Sequence, residues 1–340
     1  MSVRATHLPP EERRARVRLV GLMCILLALM LVSLFMGRYP GPYFTAPQVL
    51  RDNPLAQRLV LNLRLPRILA AVLVGMVLSA SGNVLQMIFR NPLVDSGFLG
   101  VSAGASFGAS LAIVALGGRA WTVQSCAAFF GLLGLAASYL LGQRIHYGDW
   151  VLRLVLAGIA VSALYSSGTS VLKYMADPLR QLPDITFWLL GGLWGITWPD
   201  MLQVLPVTIP SLVILYILRW RLNLLSMRDE TAFSLGVAAG RERFVLLLAA
   251  VASTAAMVSK AGLIGWVGLI VPHIARRWLG SDAQRALPGS MLLGGVFVLA
   301  CDDVARTLLS GEIPLGILTS FVGAAFFLAI MLRQDWQVRR

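Results

Sequence analysis

Residues 64–106, RLPRILAAVLVGMVLSASGNVLQMIFRNPLVDSGFLGVSAGAS, decide the fold. Arg64 and Arg67, three residues apart, open a largely uncharged run long enough to cross a bilayer. A short polar turn over Arg90, Asn91, Pro92 and Asp95 follows, and then a second apolar stretch rich in Gly, Ser and Ala. This reads as one membrane crossing, a tight turn and the start of a second. The small residues, Gly75, Ser79, Gly82, Gly100, Gly104 and Gly108 among them, let helix backbones approach closely, which is how helices associate in lipid.

The rest of the chain has the same character. Of 340 residues, 57% are hydrophobic and 13% charged, where soluble domains have about half and about a quarter. The chain is therefore all-α and polytopic; a β-barrel would need period-two polarity, which is absent. The formal charge of +13 comes from basic residues scattered between apolar runs, so it marks membrane topology and excludes a nucleic-acid face. Cys24, Cys126 and Cys301 lie far apart in apolar sequence and read as packing residues, with no metal site or resident cofactor expected. Met1 to Arg18 is polar with five arginines, which argues against a cleavable signal peptide.

Ten spans are expected within residues 17–332, between a cytoplasmic tail at 1–16 and another at 333–340. They fall at Val17–Met36, Ile68–Phe89, Gly97–Leu116, Trp121–Gly142, Val151–Met175, Met201–Leu218, Phe244–Ser259, Leu263–Leu279, Leu287–Cys301 (extending towards Leu309) and Pro314–Leu332. Gly37–Pro66 is expected as a polar outer connection, Ile185–Trp194 as an interfacial or re-entrant helix, and Pro206 and Pro210 as kinks in the sixth span. With both termini cytoplasmic, 19 of the 29 Lys and Arg fall inside. Five of the other ten crowd into one outer segment as Arg38, Arg51, Arg58, Arg64 and Arg67, against the topology rule.

Three constellations could carry function. Arg64 and Arg67 share a helical face, with Arg306 a possible third member, and guanidinium groups suit partner carboxylates; lipid headgroups or the internal Asp302 and Asp303 are the other possible partners. In the cytoplasmic segment 226–244, Asp229 and Glu230 precede a short amphipathic run, Thr231, Ala232, Phe233 and Leu235, that Gly236 can end. Its apolar side chains must bury against a soluble partner or back on the bundle. The Gly-rich segment 261–279 carries His273, which reads as structural. No Walker A loop or hydrolase signature is present, so the chain is not expected to be an enzyme and its energy must come from another subunit.

RLPR at Arg64–Arg67, RNPLVDSGFLGVSAGAS, LAGIA at Leu156–Ala160, FWLLGGL at Phe187–Leu193, DETAFSLG at Asp229–Gly236, GLIGWVGLIVPHIAR at Gly262–Arg276 and EIPLGILTSFVGAAFF at Glu312–Phe327 occur in that order. With these motifs the chain resembles the permease subunits of ABC importers for ferric siderophores, haem and cobalamin. The resemblance implies a cobalamin-permease-like fold in a bacterial inner membrane. It also implies a homodimer enclosing the path, two ATP-binding cassette ATPase subunits below and one substrate-binding protein above. By position, Arg64, Arg67 and Arg306 resemble the arginines that receive glutamates of the binding protein. Asp229–Gly236 resembles the coupling helix that docks on the ATPase, and Asn91 and Leu93 resemble part of the cytoplasmic gate. Two departures stand out: Val151 and Leu152 replace small hydroxyl residues at the gate, and Arg228 replaces a glycine before the coupling motif.

The leading expectation is an importer permease for an iron chelate, a siderophore or haem, working by alternating access. Cobalamin is the nearest alternative, and a molybdate-type oxyanion a further one. An ion-coupled secondary transporter would need acidic residues or His at mid-membrane, which the spans hardly contain, and a channel leaves the capped cytoplasmic helix unexplained.

Overall fold

The computed structural model describes residues 10–332 except 38, 40–42, 228, 235–237 and 310. The chain runs α1 (Pro10–Phe35), α2 (Pro47–Asp52), α3 (Pro54–Leu59), a π-helical turn (Val60–Arg64), α4 (Leu65–Ile88), a 3-10 turn (Ser96–Leu99) and α5 (Val101–Ala115). It continues through α6 (Ala120–Arg144), α7 (Trp150–Met175), α8 (Gln181–Leu190), α9 (Trp198–Ile217), α10 (Arg219–Leu225) and α11 (Asp229–Ser234). It closes with α12 (Ala239–Ala261), α13 (Val267–Leu279), α14 (Ala283–Thr307) and α15 (Leu315–Leu332). Among the described residues, eight helical runs are long and apolar enough to cross a membrane. The third and eighth expected spans appear as shorter helices, α5 of 15 residues and α13 of 13. A 3-10 turn precedes α5, and the non-helical residues 262–266 lead into α13. Such backbone is tolerated at membrane depth when protein surrounds it, and Gly262 and Ile264 are buried.

The opening stretch occupies the centre. α4 packs against α14, α12, α13 and α9, while α5 packs against α6, α7 and α8, with α12 touching both groups. In the Pro54–Ile88 run, 83% of the apolar window is buried, against 17% in α1 and 22% in α7 and α15, whose apolar side chains face outward. Two glycines explain the closeness of α4 and α14. A Cβ on Gly75 would strike the Gly294 carbonyl, and one on Gly294 would strike the Gly75 carbonyl. Across the turn, Gly104 and Gly108 of α5 lie equally close to the Phe130 and Cys126 carbonyls of α6.

The structure corrects the outer connection 37–66. It is not simply polar loop: Pro47 and Pro54 stand at the first turns of α2 and α3, where a missing N–H costs nothing, and Asn53 caps α3 by accepting from Leu55 and Ala56 N–H. From Pro54 the chain is helical without a break to Ile88. The seventh span, α12, begins at Ala239, five residues before the expected Phe244, because the polar turn Ala239–Arg243 is already helical. α9 is helical through both Pro206 and Pro210. The short helix expected at 185–194 is α8; its Ile185 is fully buried and it packs against α5 and α15.

Candidate functional site

At the end of the bundle that the charge pattern leads one to expect on the outside, here called the outer end, the three arginines gather where α1, α4 and α14 meet, but each turns to a different neighbour. Arg64 lies in the π-helical turn, so it and Arg67 do not present a regular three-residue face. Arg64 Nη1 donates to the Leu34 carbonyl at 3.2 Å and to Thr45 Oγ1 at 2.9 Å, and Nη2 donates to the Tyr39 carbonyl at 3.1 Å. Arg67 forks onto Asp302, its Nη2 2.9 Å from Oδ1, and places Nη1 2.9 Å from Glu312 Oε1. Its side chain is 12% exposed, that of Asp302 is fully buried and that of Glu312 is 39% exposed. Arg306 is buried, paired with Asp303, and donates to the Ser33 carbonyl at 2.7 Å; Ser33 Oγ donates to Asp303 at 2.6 Å. All three guanidinium groups thus have internal acceptors, and the frame they build ties α1 to α4 and α14. Arg38 of the outer cluster lies outside the described residues.

A second outer cluster escaped the sequence reading. Lys260, at the end of α12 and with 6% of its side chain exposed, donates to Asp200 Oδ1 at 2.9 Å, to Gln203 Oε1 at 2.5 Å and to Gln124. Asp200 also closes a capping box with Thr197, so the Thr-x-x-Asp spacing was the visible signal, but its lysine comes from 60 residues away.

At the opposite end, here called the inner end, α4 stops in a Schellman turn. Asn91 N–H donates to the Gln86 carbonyl at 3.1 Å and Arg90 N–H to that of Met87 at 3.3 Å, with Arg90 left-handed at φ 52°. Asn91 Oδ1 then accepts from Leu93 N–H at 2.9 Å, and Asp95 Oδ1 accepts from Gly97 N–H at 2.8 Å, so the polar residues of the turn shape its backbone. Burial raises the Asp95 carboxyl above the usual carboxylate range, against the lowering effect of N–H groups from Gly97 and Phe98. Asn91 and Leu93 are exposed, and Leu93 lines a narrow cleft with Leu269, His273, Phe327 and Ile330.

The other gate candidates begin α7. Asp149 caps that helix, Oδ1 accepting from Leu152 N–H at 2.9 Å; Val151 packs on the core and Leu152 is exposed. Trp150 stacks on Phe89, ring centroids 6.0 Å apart, and so brings the α7 start beside the α4 end. The expected coupling helix is α11: Ala232 is fully buried among core residues, Thr231 is exposed, and Leu235 and Gly236 lie outside the described residues. Asp229, Glu230 and Phe233 fall within α11 by backbone. α11 is held between α10 and α12. Arg221 pairs with Glu242 across these two, and Asn223 anchors α10 to the start of α14 by donating to Asp282 at 2.7 Å and accepting from Ala283 N–H at 2.8 Å. Among the described residues no group of His, Cys, Asp and Glu is placed to hold a metal ion.

This architecture has known counterparts. Residues 25–333 match the profile of the FecCD transport family. The chain is 38% identical to the molybdate import system permease protein MolB of Haemophilus influenzae, over 91% of this chain and 93% of that one. It is 36% identical to the hemin transport system permease protein HmuU of Yersinia pestis, over 95% and 97%. A solved structure described as an inward-facing conformation of a metal-chelate type ABC transporter superposes with a TM-score of 0.86 at 38% identity, covering 93% of this chain and 99% of that one. The chain belongs to the FecCD transport family and is the multi-pass permease subunit of an ABC importer, not itself an ATPase.

Proposed function

We propose that two copies of this chain form the path of an importer that carries an iron chelate, a ferric siderophore or haem, inward across a bacterial inner membrane, with both termini cytoplasmic. α11 is the observation that carries the reading. It is a short helix with one face buried at Ala232 and a neighbouring position exposed at Thr231, tethered to the transmembrane helices on both sides, as a docking element for a soluble ATPase requires. ATP-driven movement of the ATPase pair would tilt the subunits and open first one end of the path, then the other, with Asn91, Leu93, Val151 and Leu152 at the inner gate.

The same reading gives Arg64, Arg67 and Arg306 to a substrate-binding protein above the membrane. Arg67 offers a route through its partly exposed partner Glu312. A carboxylate of the partner enters by exchange with the partly exposed Glu312, while Asp302 keeps the guanidinium in place. Molybdate is the second reading, favoured by the identity to a permease named for that oxyanion. Co-expression with the partner ATPase and binding protein, reconstitution in liposomes, and ATPase rates with haem, a ferric siderophore, cobalamin or molybdate on the binding protein test the assignment. Stimulation by haem or siderophore supports it; stimulation by molybdate or cobalamin alone replaces the substrate, and failure of any ATPase to co-purify removes the coupling role of α11.

A further inference from the structure

Arg243 lies at the first turns of α12, immediately after the tethered segment that carries α11, and is 3% exposed. Its guanidinium carbon sits 5.2 Å from the centre of the Trp150 ring, and its Nη2 lies 3.5 Å from the Leu225 carbonyl at the end of α10. Trp150 in turn meets Phe89 at 6.0 Å. The next residue, Phe244, packs on Tyr139 of α6 with centroids 5.3 Å apart. One buried cation therefore touches the end of α10, the first residue of α7 and, through one ring, the last turn of α4. Trp150 directly precedes Val151 and Leu152, and Phe89 stands two residues before Asn91.

We propose that Arg243 and Trp150 are positioning residues that transmit movement of the α11 segment to both sides of the inner gate. The physical ground is the contact chemistry. A cation against an aromatic face is attractive over a range of offsets, so this contact survives sliding of one helix on another while still pulling it along. Leu222 and Leu225 of α10 and Ala232 of α11 are fully buried, so this segment is packed into the protein on either side of the carbonyl that Arg243 contacts.

This inference rests on the importer reading, and the test separates the two. In the reconstituted complex, ATP hydrolysis and uptake are measured together, with whichever of haem, ferric siderophore, cobalamin or molybdate the wild type carries. Trp150→Leu, which keeps an apolar contact to Phe89, and Arg243→Met, which keeps the buried stem, should still bind the ATPase and hydrolyse ATP. The amount carried per ATP should fall about 2- to 30-fold, the size of coupling that mutations between two sites typically change. Trp150→Phe and Arg243→Lys should restore most of the ratio. A merely structural role would lower uptake and hydrolysis in proportion to the protein recovered. That result, or an unchanged ratio, overturns the proposal while leaving the importer intact. A wild-type complex that carries none of the four ligands removes the importer reading, and the inference with it.

Discussion

The two ends of the bundle differ in how deeply their ion pairs are buried. At the outer end Arg67 and Arg306 are fixed by carboxylates from α14, with Glu312 and Ser33 completing the set. At the inner end Arg221 pairs with Glu242 and Arg285 with Asp282 at more exposed positions, Arg243 meets the Trp150 ring and the Leu225 carbonyl among its contacts, and Arg276 donates to the amide of Gln86. A buried pair is costly to break from one side and an exposed pair contributes little, so the outer end should resist rearrangement more than the inner end, in keeping with the docking and gating roles proposed for them.

Substitutions that unbalance the frame should have the largest effects. Asp302→Ala strands the buried Arg67 with Glu312 alone. It should cost about 3–5 kcal/mol, the range for breaking a buried pair from one side, and denaturation in detergent should show it as a collapse in recovered, monodisperse protein. Gly75→Leu drives a side chain into the Gly294 backbone and should cost at least about 1–3 kcal/mol; the same assay should rank it next, and a wild-type melting temperature would contradict the close α4–α14 approach.

The pH response at the inner turn should be smaller. The folded-state pKa of Asp95 is raised, so its contribution to stability is fully present in acid and is lost as pH rises through the folded value. Asp95→Asn keeps an oxygen for Gly97 N–H and should flatten that part of the stability–pH curve; a parallel curve would show that Asp95 does not set it. Smallest of all, Glu312→Gln removes the exposed partner of Arg67 and leaves Asp302. It should change stability by less than about 1 kcal/mol, while binding-protein affinity, read by surface plasmon resonance on the reconstituted permease, should rise as the internal competitor is lost.

Much of this was legible in the chain. The run after Arg67, the Gly-rich turn and the spacing of apolar segments gave the all-helical polytopic fold and a helix near each expected span, because a bilayer imposes length and apolarity directly on sequence. Helix starts at Pro47 and Pro54 were missed because proline reads as a breaker unless its first-turn position is known. The partners of the arginines were hidden for another reason. Arg67 meets a carboxylate 235 residues away, and a π-helical turn rotates Arg64 off the face that regular spacing assigns to it. Trp150 and Arg243 carry no motif in the sequence, and only the packing of the folded chain brings them together.

Hydrogen–deuterium exchange on the full complex in nanodiscs, with and without a non-hydrolysable ATP analogue, tests the contrast between the two ends most directly. The account predicts that peptides from the start of α4 and the end of α14 keep the same slow exchange in both states. Peptides covering residues 89–100, 149–152 and 219–243 should change together. Altered exchange at the outer frame with an unchanged inner end would contradict it.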